Sequence, residues 1–498
     1  MSAKLQQQPV YLLLLPVFFV LHGYVENLQY IHPADLVMPV FTYLSITIGI
    51  AFLCWLLFRD IHKSAMAAFV LMNFYFFFGA LHTFLRVHEG TRRISSYTFL
   101  LLAFVTLFAV LLFYMKKNCR SYRELTVFLN VLFLIYIVVD TISLISNATT
   151  AQRNKLVVSS FIQKNPACDT CTRPDIYFLL MDEYASSTAL KQLYHYDNSL
   201  DSFLLNNHFS IQKHSYSNYN YTPFSIASLL NMSYINGIKN KNAVDMDDFL
   251  ACQLVIRNNE VIKTLSAKGY DIVNYSIFDL AGHPTIVPQS FLPSNTDLIT
   301  RRTLFWNIRK DIGWRLVKWY PFKWIWKSDL MLNTISNEKL ITLVKQSIRE
   351  KPRSPRFIYA HFLMPHYPYY YNNKGRLKDI STIMDEMDHP APKDYVEYLN
   401  YLPYVNSRIE DMITAIRHKE PSAVIILMGD HGFRGQVPHD YHFKNLNAVY
   451  FPDTDYRTLY DSISCVNQFR VIFNKLFKES LPLAKDTPVY LTKRQAYR

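Results

Sequence analysis

Ile176-Tyr177-Phe178-Leu179-Leu180-Met181-Asp182-Glu183 is the stretch whose reading decides the fold: an unbroken apolar run that ends in two acids. A second run, Ala423-Val424-Ile425-Ile426-Leu427-Met428, ends in Gly429-Asp430-His431-Gly432. Short apolar runs without alternation, bounded by turn residues, read as parallel strands buried on both faces. Parallel α/β sheets place their chemistry just beyond the carboxyl ends of their strands. Carboxylates and a histidine therefore stand where a site belongs, and hard oxygen donors with imidazole suit a zinc or manganese ion. Glu183 is an alternative to Asp182 as the ligand.

Around these runs, strand-like and helix-like segments alternate from Pro174 onward. Strands are expected at Asp175–Met181, Phe209–His214, Asp271–Ser276, Arg356–Leu363, Ala423–Met428 and Ala448–Phe451. Helices are expected at Ser187–Asn206, Pro223–Asn231, Asn259–Ala267, Asn337–Glu350, Tyr395–His418 and Tyr456–Phe477. Lys374–Pro392 reads as a loop. Such alternation implies a three-layer α/β/α domain on a mostly parallel sheet.

The first third of the chain is different. Five apolar stretches approach or reach a bilayer span of roughly 20 residues: Val10–His22, Leu36–Phe58, Ser64–Leu85, Tyr97–Met115 and Leu125–Ile145. The first is short and contains Pro16, yet it lacks a small-x-small cleavage pattern, so it reads as a retained span. Lys4, Arg59, Lys63, Lys116, Lys117, Arg120 and Arg123 fall on one side, and Tyr24–Asp35 opposite has no Lys or Arg. Arg86, Arg92 and Arg93 vote against. The positive-inside rule puts the first group in the cytoplasm. With five spans, everything beyond about Ser146 is extracytoplasmic. The expected organisation is 1–146 transmembrane, 147–173 linker and 174–498 catalytic, an integral plasma (inner) membrane protein with its catalytic domain outside or in the periplasm.

The net charge of +13 does not point to nucleic acid, because the basic domain lies outside the cytoplasm. Much of it sits in Arg301–Lys327, which carries Trp306, Trp314, Trp319, Trp324 and Trp326 among eight Lys or Arg residues. A basic, Trp-rich amphipathic segment suits a lipid headgroup boundary. Cys168 and Cys171, just outside the last span, read as a local disulfide, with a redox or zinc pair as the alternative.

Several polar residues outside the two runs could carry chemistry. Thr222-Pro223 opens a helix, with Thr as a favoured cap and Pro at the first helical position. A hydroxyl there sits where free amides and the helix dipole favour negative charge. His361 follows an apolar run and reads as buried. His366 lies between Pro365 and Pro368 in a stiff loop and is placed to bind substrate oxygens or protonate a leaving group. His439 and His442 follow Asp430 closely and could flank the site.

Taken in order, Asp-Ile-Tyr-Phe-Leu-Leu-Met-Asp182, Tyr-Thr222-Pro-Phe-Ser-Ile-Ala-Ser-Leu, His361-x3-Pro-His366-Tyr-Pro-Tyr and Gly-Asp430-His431-Gly resemble the motif series of the alkaline-phosphatase superfamily. The likeness is closest to its sulfatase-like membrane branch, which includes lipoteichoic acid synthases and phosphoethanolamine transferases. That resemblance implies one divalent metal held by Asp182, Thr222, Asp430 and His431, with Thr222 as nucleophile and His366 contacting the transferred phosphoryl group. It implies a transferase that moves phosphoethanolamine or phosphoglycerol from a phospholipid donor to a cell-envelope glycan or lipid through a phospho-threonine. The chain departs from the pattern where the phosphotransferases have a glutamate ligand and several disulfides. No cysteine sits in a Cys-x-Pro-x-Arg setting, and threonine cannot give the formylglycine of sulfatases, which favours phosphoryl over sulfuryl transfer. Hydrolysis of a phosphoric or sulfuric ester at the same site is the alternative, and a catalytically silent membrane binding protein is a third reading.

Overall fold

A computed structural model describes residues 7–118, 122–149, 156–158, 171–287, 295–313, 327, 330–350, 353–388 and 394–494. Its contacts divide the chain into two units, Met1–Arg153 with Phe291–Trp326, and Asn154–Ser290 with Lys327–Arg498.

The first unit is helical. α1 (Tyr11–Glu26), α2 (Val37–Phe58), α3 (Ile61–Val87), α4 (Tyr97–Lys117) and α5 (Arg123–Thr149) fall close to the five apolar stretches. Among the described residues, four helices are long and apolar enough to cross a membrane, and α1 is a shorter apolar helix. Tyr11, Leu15, Phe19 and Val20 of α1 are buried, with Phe19 stacked on Phe76 of α3 at 4.3 Å. α2 and α4 instead expose Phe41, Phe52, Leu102, Leu107 and Phe113, as helices facing lipid do.

Residues 295–313 group with this unit by their contacts, although they fall within the 174–498 segment of the sequence division. Glycines make the close approach possible. A Cβ on Gly79 would stand 2.9 Å from the Arg302 carbonyl oxygen, and one on Gly23 would stand 2.8 Å from Ile299 Cγ2. The Gly79 amide donates to that same carbonyl at 2.8 Å. Arg302 pairs with Glu26 at 2.5 Å, and the Tyr97 hydroxyl donates to Asp311 at 2.6 Å. Trp314, Trp319, Trp324 and Trp326 lie outside the described residues. So does Cys168, although Cys171 is disulfide-bonded.

The second unit is built on a six-stranded mixed sheet. Its strands are β1 (Ile176–Met181), β2 (Ser210–Ile211), β3 (Asp271–Tyr275), β4 (Arg356–Phe362), β5 (Val424–Gly429) and β6 (Asn447–Tyr450), in the spatial order β2-β6-β5-β1-β4-β3. β1 lies between β4 and β5, parallel to both, and β3 is parallel to β4. β6 runs antiparallel to β5 and β2. Every residue of β1, β4 and β5 is buried, which is why these strands read as apolar runs instead of alternating.

Helices cover both faces of this sheet. α6 (Ser187–Tyr194), α7 (Ser199–Asn206), α8 (Thr222–Asn231), α9 (Met246–Arg257), α10 (Glu260–Ala267), α11 (Leu332–Ser347), α12 (Ile380–Asp388), α13 (Asp394–Lys419) and α14 (Cys465–Phe477) follow in chain order. Tyr177, Leu179 and Met181 pack with Leu340 and Val344 of α11 and Val405 and Ile409 of α13. On the opposite face, Phe178 meets Phe469 of α14 edge-on at 5.2 Å. A buried ion group ties the strand starts together: Arg356 pairs with Asp175 at 2.8 Å and with Glu420 at 2.7 Å.

Several expected boundaries change. The helix expected at Ser187–Asn206 is two helices, because His195 takes a left-handed φ of 53° and Asn198 caps the second. Lys374–Pro392 is not simply a loop, since α12 forms within it and buries Ile383 and Met384. The last helix starts at Cys465, not Tyr456, because the backbone before it bonds to another segment: the Tyr216 amide donates to Ile463 and the Cys465 amide to Tyr216. The sequence missed α9, whose Asp245 and Asp248 form a reciprocal cap.

Candidate metal centre and active site

Asp182 and Asp430 each follow the last residue of a central strand, and β1 and β5 are adjacent, so the register brings the two carboxylates together. Met181 lies opposite Gly429, and the Asp430 amide donates to the Met181 carbonyl at 3.3 Å. Gly429 is needed here, because a Cβ would stand 2.3 Å from the Tyr184 carbonyl oxygen. Asp182, Asp430 and His431 are all buried, and one ligand atom from each lies within 4.8 Å of the others.

Thr222 completes the group. Its Oγ1 is 3.2 Å from His431 Nε2 and 3.5 Å from Asp182 Oδ1. The residue at the N-cap of α8 is Tyr221, not Thr222, and no side chain caps the helix. Thr222 and Pro223 are the first two helical residues, and the threonine hydroxyl is turned toward Asp182 and His431. Ser225, one turn on, donates to the Asp430 carbonyl at 2.6 Å and holds the helix start against the strand end.

The protein orients each ligand. His431 Nδ1 donates to the Gly432 carbonyl at 2.8 Å, which leaves Nε2 with its lone pair facing Thr222 and Asp182. Asp430 Oδ1 accepts the amides of Glu183 at 2.8 Å and His431 at 2.9 Å. Asp430 Oδ2 is buried with no hydrogen-bond partner, 3.2 Å from His431 Nε2.

The electrostatics point the same way. Burial, helped by the neighbouring Glu183 charge and opposed by Arg434, pushes the Asp182 carboxyl up to about 7. Burial and then the Asp182 charge hold Asp430 well above the usual carboxylate range. Burial and then Arg434 hold the His431 imidazole well below its ordinary value. Two buried acids that resist ionising side by side, an orphaned carboxylate oxygen and an aimed imidazole lone pair together fit a divalent cation.

The remaining predicted residues form an outer layer. Glu183, at φ 65°, does not share the cluster: its Oε1 accepts the Arg434 amide at 2.7 Å, and its carboxylate faces the Arg434 guanidinium at 3.7 Å. His366 is partly exposed. Its Nδ1 donates to the Tyr367 carbonyl at 2.6 Å, and its Nε2 is 3.3 Å from Arg434 Nη2 and 3.7 Å from Glu183 Oε2. His361 is fully buried; its Nε2 lies 3.9 Å from Asp182 Oδ2 and has no hydrogen-bond partner, while its Nδ1 is 3.4 Å from the Tyr359 hydroxyl. Burial, followed by the His366 charge, lowers it to about 3. His439 stacks on Tyr490 at 4.0 Å. His442 is buried, and burial, followed by the His439 charge, lowers its imidazole.

Sequence reasoning missed Arg434. It lies four residues after Asp430 in Asp-His-Gly-Phe-Arg, and its guanidinium sits 5.4 Å from the Tyr221 ring centroid. The available signal was charge balance, because three acids gathered at two strand ends need more positive charge than one dication supplies.

The sulfatase family model matches residues 294–462, about a third of the chain. No curated protein sequence matches the chain. Among solved structures, the periplasmic domain of Escherichia coli EptC shares 13% identity at a TM-score of 0.40, over 66% of this chain and 92% of that one. The soluble domain of lipooligosaccharide phosphoethanolamine transferase A from Neisseria meningitidis shares 10% at 0.39, over 64% and 90%. Phosphonate monoester hydrolase of Agrobacterium radiobacter shares 13% at 0.38, over 61% and 74%.

Proposed function

We propose that this chain is a membrane-embedded, metal-dependent transferase in which Thr222 takes a phosphoryl-linked headgroup from a phospholipid and passes it to a glycan or lipid of the cell envelope. The carrying observation is the Thr222 hydroxyl, 3.2 Å from the free lone pair of His431 and 3.5 Å from Asp182. Asp182, Asp430, His431 and the Thr222 oxygen would hold one zinc or manganese ion. Such an ion supplies positive charge that eases loss of the hydroxyl proton and offsets charge on the phosphoryl oxygens.

The chain's own residues do the rest. Thr222 Oγ1 forms a bond to phosphorus while the bond from phosphorus to the diacylglycerol oxygen breaks. The hydroxyl proton leaves Thr222, and the departing diacylglycerol oxygen gains a proton. His366 offers Nε2 at the outer layer for that exchange. The acceptor hydroxyl then attacks the phospho-threonine and releases Thr222. Dividing one displacement into two lowers each barrier, and the free amides of the α8 N-terminus face the charge that develops.

Four helices of spanning length, with the buried α1 as a fifth apolar helix, anchor the chain. We take the five-span arrangement, the inner-membrane location and the periplasmic site as part of this reading. The boundaries 1–146, 147–173 and 174–498 stand as its working division, with 295–313 docked on the helices. Purified full-length protein tests it: bound zinc or manganese with turnover of phospholipid, lost in Thr222→Ala, supports it, and turnover that survives this substitution overturns it.

A further inference from the structure

We propose that Arg434 and Lys493 select the headgroup: the site takes a phospholipid whose headgroup ends in a neutral hydroxyl of the glycerol type, and discriminates against one ending in an ammonium. This rests on the transferase reading above and names the donor class for the same site.

Tyr221 is the residue immediately before the nucleophile. The Arg434 guanidinium lies 5.4 Å from its ring centroid, and the Lys493 ammonium lies 5.6 Å from it and 4.9 Å from the ring of Phe249. The one aromatic ring flanking Thr222 in sequence is thus already paired with two cations. An incoming ammonium is ordinarily held by an open aromatic face or a free carboxylate. Among the described residues, the carboxylates gathered around Thr222 are already engaged. Glu183 is engaged by Arg434 and faces His366, while Asp182 and Asp430 belong to the metal cluster.

Lys493 has no carboxylate partner among the described residues, and it reaches this position because its backbone bridges to Val244 at the entry to α9. The Lys493 side chain is exposed overall, while desolvation around its ammonium, followed by repulsion from Arg434, lowers it, and a third cation brought between them would meet the same repulsion. The positive end of α8 adds to the field. A phosphodiester gains from all three, whereas a terminal ammonium loses what the phosphate gains. A glycerol end carries no opposing charge and can accept hydrogen bonds from both cations.

The test uses full-length protein in mixed vesicles that hold equal phosphatidylglycerol and phosphatidylethanolamine, with zinc or manganese, reading diacylglycerol released from each lipid. The expected result is a preference for phosphatidylglycerol of roughly tenfold or more. Lys493→Glu should shift the ratio toward phosphatidylethanolamine by a similar factor, while Lys493→Arg should keep it. Equal use of both lipids, a preference for phosphatidylethanolamine, or a ratio that Lys493→Glu leaves unchanged overturns the inference while leaving the transferase reading intact. Failure to release diacylglycerol from either lipid overturns both.

Discussion

Thr222 and His431 come from segments 209 residues apart, yet the threonine Oγ1 lies 3.2 Å from the histidine Nε2. The geometry depends on the His431 ring being fixed by the Gly432 carbonyl and on α8 being held by Ser225 at the Asp430 carbonyl. Replacing Thr222 by Ala should lower turnover roughly 10³-fold or more, with bound metal largely retained. Thr222→Ser should recover part of the activity. Steady-state rates and elemental analysis of the same preparations check this, and loss of all metal in Thr222→Ala would point to a structural role.

Metal binding should depend on pH with a definite sign. Asp182 titrates near 7 in the folded chain against an ordinary 3.8, so the folded metal-free protein holds a proton that the unfolded chain gives up. Its contribution to stability is full below about pH 4 and is lost as pH rises through about 7, on the order of 4 kcal/mol. A cation must displace that proton, and bound cation stabilises the folded state in proportion to its affinity. The rise in melting temperature on adding zinc or manganese should therefore grow between about pH 5 and pH 7. An equal rise at both values would contradict the assignment of Asp182 as a ligand.

Gly432 admits no side chain. A Cβ there would stand 2.2 Å from the Tyr441 carbonyl oxygen and 2.8 Å from that of Lys444. Gly432→Ala must displace backbone next to His431 and the turn that carries His439 and His442, at a cost of about 1–3 kcal/mol. Activity should fall further than stability, because the Gly432 carbonyl is the group that fixes His431. Melting temperature and turnover, measured together, separate the two effects.

Arg356 is buried between Asp175 and Glu420 at the far ends of the same strands. Arg356→Ala leaves two carboxylates without their partner and should destabilise the domain by ~3–5 kcal/mol. Metal affinity in the protein that remains folded should be unchanged. A metal-binding defect at unaltered stability would show that this ion group reaches the site.

Much of the site could be read in the sequence, for a physical reason. β1, β4 and β5 are buried on both faces, so they stand out as apolar runs, and their ends mark where polar residues gather. Thr222 was found through its helix-opening proline, although the cap itself belongs to Tyr221. Arg434 was hidden because it lies in a loop with no periodicity, and its importance comes from partners as distant as Glu183. Residues 295–313 group by contact with the helices through Gly23, Glu26, Gly79 and Tyr97, and such tertiary contacts leave no local pattern in the sequence. The last helix was drawn too long because Tyr456–Ser464 carries a helical pattern whose backbone bonds elsewhere.

Peptide mass spectrometry tests the central claim most directly. Full-length protein is incubated with phospholipid and zinc or manganese but no acceptor, quenched, digested and mapped. The account predicts a phosphoryl-linked headgroup on Thr222 that disappears when acceptor is supplied. An unmodified Thr222 in protein that is turning over phospholipid would contradict it.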